Sequence, residues 1–380
     1  MALLFWTLSA LVVYVYVGYP LLLALVGRMH ARPARREAIE PSVTLLISAF
    51  NEADVIAEKL RNSLSLDYPA DRLQILVISD ASDDETDAIV ESFAPRAELL
   101  RMADRGGKTL GLNAAVPRAR GDIIVFSDAN AMYARDVLRQ LVANFADPAV
   151  GAVVGESTYT KPEVESERTE GLYWRYETAI KRLESRIGSV VGGDGAIYAI
   201  RRALYVPMRA DALSDFVNPL QIVRGGHRCI YEPLARSYEE AAKDFQREFR
   251  RKVRIVNRAW RALMTLRPLL NPLRYGFFAF ELISHKLLRW LVPLFLAGAL
   301  VTNLFLLGSA PIYTLTLVAQ LALYALALLG YTLRHRERMP SILSVPYYFC
   351  LVNVASALGI FEAYRGKTYA TWSTARAQSP

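Results

Sequence analysis

Acidic and amide side chains follow directly after three short apolar runs of the sequence. Asn51 and Glu52 come after the first run, an aspartate cluster that begins at Asp80 comes after the second, and Asp128 and Asn130 come after the third. Oxygen side chains of this kind bind hard cations such as Mg2+ or Mn2+, which usually bridge to substrate phosphates. Asp128 and Asn130 could present two oxygens to one such ion, or they could cap the start of the next helix. The sequence leaves both interpretations of that pair open.

Basic residues that suit an anionic substrate lie elsewhere in the chain. Lys108 follows two glycines and precedes a predicted helix, from which its ammonium group can reach a phosphate or a base edge. Residues 243–267 carry a dense set of arginines, among them Arg250, Arg254 and Arg258. This segment predicts either a binding site for a departing diphosphate or a surface that binds anionic lipid. Lipid binding would contribute about 1 kcal/mol of binding free energy per basic residue near the surface. Both functions are compatible with different faces of one helix.

Composition excludes several classes of protein. The 380 residues are 53% hydrophobic and 22% charged with a net charge of +8, so neither an ordinary soluble enzyme nor a disordered chain fits. Two cysteines are too few for the disulfide framework of a small secreted protein. The four histidines do not form a zinc-binding motif, which argues against a zinc centre. No dinucleotide or P-loop motif follows any predicted strand, and no motif that reads a nucleic-acid groove is present.

The segments that hold these residues alternate between strand and helix. Apolar, β-favouring runs over residues 42–47, 73–78 and 123–126 predict three strands. Helices are predicted over residues 53–63, up to residue 93, and over 107–119. Continuous apolar strands separated by helices predict an α/β fold with a mostly parallel sheet that is covered on both faces. A ligand then binds beyond the carboxyl ends of the strands, where the three polar clusters lie.

Three long segments, 2–27, 291–333 and 339–361, carry no charged residue. A spanning helix needs about 20 apolar residues, so the first segment predicts an anchor and the second predicts two spans that are broken near residues 309–311. The basic flank of the first segment puts its C-terminal end in the cytoplasm, and the start MALLFW lacks the basic residues of a cleavable signal peptide. Residues 339–361 either span the membrane or are re-entrant, and we expect a cytoplasmic tail after them.

Residues 275–290 mix aromatic and basic side chains. They predict an amphipathic helix on the inner surface, with the flank of a span as the alternative. The resulting layout is an N-terminal anchor (1–27), a cytoplasmic catalytic domain (28–245), interface helices (246–290), a transmembrane or re-entrant region (291–363) and a tail (364–380). We expect a multi-pass protein of the bacterial inner membrane whose catalytic domain is cytoplasmic.

Five segments, taken in order, resemble a known family. They are SVTLLISAFNE, ILVISDASDDET, GGKTLGLNAA, IIVFSDAN and ALSDFVNPLQIVRGGHRCIYEP. Together they look like family-2 glycosyltransferases of the GT-A fold, and more closely they are similar to the membrane-embedded synthases of hyaluronan, cellulose and Nod-factor chitin oligosaccharides. The resemblance implies a Rossmann-like GT-A domain and a Mg2+ or Mn2+ cofactor. It also implies inverting transfer of a sugar from a nucleotide sugar, usually a UDP-sugar, to an acceptor hydroxyl.

The resemblance further implies a role for each site residue. The residues that would bind the nucleotide sugar are Phe50, Asn51, Glu52, Asp80 (which would read the uracil), Lys108, Arg250, Arg254 and Arg258. Asp128 and Asn130 match the motif that holds the metal and the diphosphate, and Asp215 falls where the family places its general base. The choice of sugar depends on the pocket walls, for which residues 192–195 and Glu156 are candidates.

Two parts of the chain bear on whether a long polymer is made. The family's QxxRW motif, which helps processive synthases to hold the growing chain, is only approximated by residues 258–260 (RAW). Residues 371–376 (TWSTAR) resemble the gating element of hyaluronan synthases with one residue inserted. That likeness implies a gating role for Trp372 and Arg376, and an unstructured basic tail is the alternative.

Three functions therefore remain open. The first is a hexosyltransferase that builds a polysaccharide or oligosaccharide and secretes it through its own membrane part. The second is a hexosyltransferase that adds one sugar to a polyprenyl phosphate or another lipid-linked acceptor, which the degenerate QxxRW motif favours. The third, of another class, is a catalytically silent nucleotide-sugar sensor or a channel partner of a synthase. The expected partners are a UDP-sugar donor, a saccharide or lipid-linked acceptor and membrane lipids, without nucleic acid.

Overall fold

A computed structural model describes residues 1–159, 165–239, 245–334 and 339–371 of the chain. The strands in this part are β1 (Val43–Ala49), β2 (Leu73–Ser79), β3 (Glu98–Arg101), β4 (Ile123–Asp128), β5 (Met132–Tyr133), β6 (Val150–Tyr159), β7 (Tyr198–Arg201) and β8 (Arg228–Glu239). They form one sheet in the spatial order β3-β2-β1-β4-β7-β6-β8-β5. β1, β2 and β4 correspond to the three predicted strands, and the other five strands were not predicted.

Helices cover both faces of the sheet and extend beyond it. They are α1 (Ala2–Met29), α2 (Ala53–Leu64), α3 (Thr86–Glu91), α4 (Lys108–Ala115), α5 (Val137–Val142), α6 (Glu165–Ile187), α7 (Ser214–Arg224), α8 (Phe245–Thr265), α9 (Phe277–Leu304), α10 (Pro311–Thr332) and α11 (Ser341–Tyr364). A single helical turn, Pro272–Tyr275, precedes α9. By length and composition, α1, α9, α10 and α11 are able to cross a membrane.

The first half of the sheet is parallel, as the apolar runs predicted. β1 pairs in parallel with both β2 and β4, and β2 pairs in parallel with β3. Leu45, Leu46 and Ile47 are fully buried because helices cover both faces, and burial of each side chain contributes about 1.5–3 kcal/mol. The register sets Ala49 opposite Ser79 and Ser48 opposite Asp128. The three strands therefore end at one edge, and the predicted meeting of their polar clusters is confirmed.

The second half of the sheet mixes strand directions. β7 runs antiparallel to both β4 and β6, whereas β8 runs parallel to β6. The turn before β7 contains residues 192–195, and β8 ends at Glu239. This half therefore brings a glycine-rich loop and a further acidic residue towards the edge where β4 ends.

The break predicted near residues 309–311 is present, since α9 ends at Leu304 and α10 begins at Pro311. The structure differs from the prediction over residues 275–290, where most of the segment belongs to the continuous helix α9 rather than to a separate surface helix. The side chains of His285 and Arg289 contact α6 instead of solvent. The imidazole of His285 lies 2.6 Å from Glu184 Oε1 and 3.2 Å from Glu177 Oε2. Because these polar groups find partners on α6, they do not have to face water. The helix can therefore continue into the apolar segment.

α11 lies alongside the basic helix α8 over most of its length. The ring of Tyr347 lies 5.0 Å from that of Phe245 near the start, and the ring of Tyr364 lies 5.9 Å from that of Trp260 at the end. Between them Gly359 lies so close to α8 that an added Cβ would come within 2.8 Å of the Val253 carbonyl oxygen. About half (50%) of the most apolar stretch of α11 is buried inside the protein, compared with 22%, 28% and 11% for α1, α9 and α10. Both ends of α11 therefore contact the same helix, α8.

Candidate active site

The loops after β1 and β2 are bound to each other. The Asn51 amide donates to Asp83 Oδ1 at 2.6 Å, and the Asp83 backbone amide donates back to Asn51 Oδ1 at 3.1 Å. Asn51 and Ala81 have φ values of 52° and 57°, in the left-handed region that side chains disfavour. Strain of this kind persists where the surroundings hold a functional loop in place. The ring of Phe50 lies 3.7 Å from the Arg105 guanidinium, and the Glu52 amide donates to Thr86 at 2.9 Å.

Asp80 holds the loop that precedes α4. Its carboxylate accepts hydrogen bonds from the backbone amides of Gly106 and Gly107, each at a shortest distance of 2.9 Å. Burial raises the pKa of Asp80, although the two amides and Arg105 act against this. The contact of Asp80 with uracil stays a prediction, whereas its contact with the loop is a feature of the fold.

Lys108 links the ends of the two halves of the sheet. Its ammonium group donates to the Asp128 carboxylate and, at 3.1 Å, to the carbonyl oxygen of Gly195. A Cβ added at Gly195 would lie 3.6 Å from Lys108 Nζ, 3.7 Å from Asp128 Oδ2 and 3.8 Å from Asp215 Cγ. Three of the predicted site residues therefore surround one glycine, which leaves space where a substrate could approach.

We expect Gly107→Ala to weaken UDP binding about fivefold to tenfold, because Gly107 has φ +87° and a Cβ there would collide with the carbonyl oxygen of Ala370. The adjacent Gly106→Ala is the matched control, since its added Cβ would meet only the Leu110 side chain, at 3.1 Å. Isothermal titration with UDP, with the melting temperature of each variant as a check on folding, measures the difference. Equal affinity in the two variants would show that the loop conformation does not govern nucleotide binding.

Asp128, Asp194 and Glu239 form an acidic cluster at this edge. Asp194 Oδ2 is buried and has no hydrogen-bond partner in the part of the chain that the structure describes. Burial and the charges of Asp194 and Asp128 raise the pKa of Glu239 to about 8. Carboxylates that repel one another in a buried site are stabilised by a cation, and an all-oxygen donor set suits Mg2+ or Mn2+.

The cluster fits a metal that shares its ligands with a substrate. Within the described ranges, no group of three or more His, Cys, Asp and Glu side chains is arranged to hold an ion by itself. Mg2+ commonly takes one or two carboxylates together with substrate phosphates. Asn130 is exposed, so its part as a ligand stays a prediction. Glu239 was not predicted from the sequence. Its position as an acidic residue at the end of a strand could have identified it as a candidate site residue.

Asp215 lies in the first turn of α7. The Gly193 amide donates to its backbone oxygen at 2.7 Å, which ties the helix start to the glycine-rich loop. Burial and the neighbouring charge of Asp194 raise the pKa of Asp215, while Lys108 and Arg258 lower it. The net shift is upward, so the carboxylate is more basic than an ordinary aspartate. A group of that kind suits general base catalysis.

The arginines of α8 differ in their surroundings. Arg258 is 7% exposed, and burial lowers its pKa to about 10. It donates to the Asp211 carbonyl oxygen and to Thr109 Oγ1, both at 3.2 Å. Burial lowers the pKa of Arg254, and the charge of Asp128 acts in the opposite direction. Arg254 and Arg258 therefore reach the site, whereas Arg250, on the same face of the helix, is exposed.

Trp260, from the segment that approximates QxxRW, is 6% exposed. Its ring packs against Trp290 at 6.4 Å and Tyr364 at 5.9 Å, within a cluster of apolar side chains. The chain after α11 turns towards the site, where Asn257 donates to the Lys367 carbonyl oxygen at 3.2 Å. Trp372 and Arg376 lie outside the described residues, so their gating role stays a prediction.

The chain is similar to known proteins in sequence and in fold. Residues 44–205 match the family model named Glycosyl transferase family 2. A beta-monoglucosyldiacylglycerol synthase from Synechocystis sp. is 36% identical over 118 residues, which cover 30% of this chain and 25% of that protein. An N-acetylglucosaminyltransferase from Rhizobium meliloti is 23% identical over 332 residues, which cover 82% of this chain and 77% of that protein. The match with the first of these relatives thus spans only a quarter of that relative's length.

The fold is similar to that of a solved mannosyltransferase from Pyrobaculum calidifontis, in complex with GDP-Man and Mn2+. The TM-score is 0.73 at 24% sequence identity, and the likeness covers 96% of this chain and 99% of the other. Because the similarity covers nearly the full length of both chains, it includes the apolar helices as well as the sheet.

Proposed function

Because residues 44–205 make this chain a family-2 glycosyltransferase, we propose that it moves a sugar from a nucleotide sugar to a hydroxyl of an acceptor held at the membrane surface. The predicted family, GT-A fold and enzyme class are confirmed. A silent sensor is thereby disfavoured. The observation that carries the reaction is the arrangement of Asp215, Asp128 and Lys108 around Gly195.

Asp215 is proposed to be the general base. It accepts the proton of the acceptor hydroxyl while that oxygen attacks the anomeric carbon. The bond from the anomeric carbon to the diphosphate breaks on the opposite face, so a single displacement inverts the anomeric configuration. Lys108, Arg254 and Arg258 stabilise the negative charge that develops on the departing diphosphate.

The donor is proposed to be a UDP-sugar, and the cofactor Mg2+ or Mn2+. The P. calidifontis protein was solved with GDP-Man and Mn2+. This supports a nucleotide sugar and a divalent ion, but it does not decide which nucleobase the donor carries. Asp128 would hold the ion together with the diphosphate of the donor, and the bound ion would neutralise charge on that diphosphate. Asn130 is a further proposed ligand, and Phe50, Asn51, Glu52, Asp80 and Arg250 are the remaining proposed contacts of the nucleotide sugar.

The protein is proposed to be a multi-pass protein of the bacterial inner membrane. α1, α9 and α10 would cross it, which leaves the sheet and the end of α10 on the cytoplasmic side. α11 would lie along α8 at the inner surface, because both of its ends contact that helix. The tail would then be cytoplasmic, in agreement with the position of Ala370 beside Gly107.

Two acceptors are compatible with these relatives. One named relative is a glycolipid synthase and another an N-acetylglucosaminyltransferase. The degenerate QxxRW motif favours addition of one sugar to a lipid-linked acceptor. A growing saccharide is the second candidate, and the approach of the tail to Gly107 favours it.

The test is nucleotide release from the purified, detergent-solubilised protein with a panel of UDP- and GDP-sugars, Mg2+ or Mn2+, and saccharide or lipid acceptors. We expect release with a preferred donor and a product larger by one sugar. A ladder of long products would instead establish polymer synthesis. No release above the Asp215→Asn background with any donor and acceptor would contradict the proposed activity.

The rate is expected to fall on the acidic side of its pH profile. A base acts only when ionised, and the pKa of Asp215 is raised above its ordinary 3.8. Protonation therefore removes activity at a higher pH than an unperturbed aspartate would, and kcat should fall about tenfold per pH unit below that pKa. Initial rates at saturating substrate measure the profile, and the circular dichroism signal monitors folding. A rate that stays constant down to the pH of acid unfolding would argue against Asp215 as the base.

A further inference from the structure

α2 carries a fully buried lysine, Lys59, in its second turn. The ammonium group of Lys59 donates a hydrogen bond to the carbonyl oxygen of Ala131, and it lies 3.8 Å from the ring centre of Tyr133. An ammonium group is costly to bury unless hydrogen bonds and opposite charges stabilise it. Both of these contacts are made with the segment that follows Asp128, so the lysine and this segment stabilise each other.

Asn62, three residues further along α2, binds the same segment. Its side-chain amide donates to the carbonyl oxygen of Tyr133 at 2.9 Å, and its amide oxygen accepts from the backbone amide of Tyr133 at 2.8 Å. Residues three apart lie on the same face of a helix. One face of α2 therefore binds the backbone at both ends of residues 131–133.

Residues 131–133 connect two acidic strand ends. The backbone amide of Ala131 donates to the carbonyl oxygen of Asp128 at 3.2 Å, which closes the turn after β4. Tyr133, in β5, lies opposite Ser237 of β8, and β8 ends at Glu239. A displacement of this segment would therefore move Asp128 relative to Glu239.

The side chain of Tyr133 extends these contacts to the glycine-rich loop. Its hydroxyl donates to the carbonyl oxygen of Ala196 at 2.9 Å. Ala196 follows Gly195, around which the proposed site residues lie. The aromatic ring therefore links the ammonium group of Lys59 to the loop on the other half of the sheet.

The acidic cluster also acts on Lys59 through its charge. Burial lowers the pKa of Lys59 to about 7, while the charges of Asp128 and Glu239 act in the opposite direction. These two carboxylates therefore favour the protonated lysine, which is the form that donates to Ala131.

We propose that Lys59 and Asn62 are positioning residues of the metal site, which hold the turn after Asp128 in the geometry that binds a divalent ion together with the diphosphate. The proposal rests on the proposed function and adds two residues to it. Both residues act through the backbone of residues 131–133. Without Lys59 the buried carbonyl group of Ala131 loses its partner, and because an unpaired buried carbonyl is unfavourable, the turn rearranges.

The test is the UDP affinity of the full-length protein in detergent, measured by isothermal titration with Mn2+ and with excess chelator. Replacement of a residue that orients a metal ligand typically lowers metal affinity about 10- to 100-fold. We expect Lys59→Met to weaken UDP binding with Mn2+ about tenfold, and Asn62→Ala about threefold to tenfold. With chelator, both variants should bind UDP within about twofold of the wild type. A role in stability alone would not change the difference between the two conditions.

Hydrogen exchange of the metal-free protein gives a second readout, which does not depend on the ion. The backbone amides of Ala131 and Tyr133 are bonded to Asp128 and Asn62. In each variant, a peptide over residues 129–134 should exchange at least about tenfold faster, while β1 and β2 exchange at the rates of the wild type. Unchanged exchange of this peptide would contradict the proposal.

Leu60→Ala is the matched control. Leu60 is fully buried on the same helix and belongs to the hydrophobic core. Its replacement creates a cavity beside Lys59 without removing the hydrogen bonds to residues 131–133. This variant should keep the full response of UDP affinity to Mn2+, even though its melting temperature falls.

Three results would overturn the proposal. They are a wild-type response to Mn2+ in folded Lys59→Met, an equal loss of response in Leu60→Ala, and stronger binding with Mn2+ in Lys59→Met. The last result would show that Lys59 acts only through its charge, which opposes a nearby cation.

Two further outcomes have separate meanings. If Lys59→Met does not fold, Asn62→Ala decides the question, because Asn62 is only half-buried and its replacement leaves the lysine in place. If the UDP affinity of the wild-type protein does not respond to Mn2+, the proposed cofactor fails. Hydrogen exchange then still decides whether the two residues hold the turn.

Discussion

Replacement of Asp215 by asparagine is expected to lower kcat at least about a hundredfold while UDP binding stays close to that of the wild type. The amide has nearly the same shape but cannot accept the proton of the acceptor hydroxyl. The Asp215 backbone oxygen, which accepts from Gly193 at 2.7 Å, is unaffected by the change. Nucleotide release at saturating donor and acceptor, combined with titration of UDP, separates the chemical step from binding.

Asp211→Asn is the matched control for this prediction. Asp211 lies in the segment just before α7, where it pairs with Arg209 and Arg261 rather than with the groups around Gly195. Its replacement should leave kcat within a few-fold of the wild type. If Asp215→Asn retained most of the wild-type kcat, or if both variants lost activity equally, another group would have to be the base.

Asp128→Asn is expected to weaken UDP binding in the presence of Mg2+ or Mn2+ about a hundredfold, or about 2.8 kcal/mol. The substitution removes one charge from the cluster with Asp194 and Glu239, and it removes the carboxylate that Lys108 contacts. UDP affinity measured with the metal ion and with excess chelator separates these effects. The difference between the two conditions should be large for the wild type and nearly absent for the variant.

The other end of β4 offers a control. Asp122 precedes the strand, at the opposite edge of the sheet, and its carboxylate accepts from Ser42 at 2.7 Å. Asp122→Asn should keep the full dependence of UDP affinity on metal. If the metal response of Asp128→Asn equalled that of the wild type, the ion would have to bind elsewhere.

Three of the four strands in the parallel half of the sheet could be predicted from the sequence because their signals are local. β1, β2 and β4 are continuous apolar runs that each end in a polar cluster, and strands buried on both faces have that pattern. β3 has only two apolar residues and was not predicted. The meeting of Asp128 with Lys108 followed from the shared edge and from the family likeness. Asp215 lacks such a local signal, and only its resemblance to a family motif identified it.

The second half of the site depends on contacts between distant segments. Glu239 comes near Asp128 because β8 pairs with β6, and no periodicity in the sequence predicts that pairing. The interpretation of residues 275–290 as a surface helix differed from the structure because α6 covers their polar side chains. The position of α11 likewise depends on packing, since Gly359 allows its approach to α8.

The stereochemistry of transfer tests the central claim most directly. A donor with an α-linked sugar, such as a UDP-hexose that supports nucleotide release, is incubated with the protein and the best acceptor. The anomeric configuration of the new glycosidic bond is then read by proton NMR. A single displacement assisted by Asp215 predicts the β-linked product and transfer at least about a hundredfold slower for Asp215→Asn. An α-linked product would require two displacements and a second nucleophile, and it would contradict the proposed role of this site.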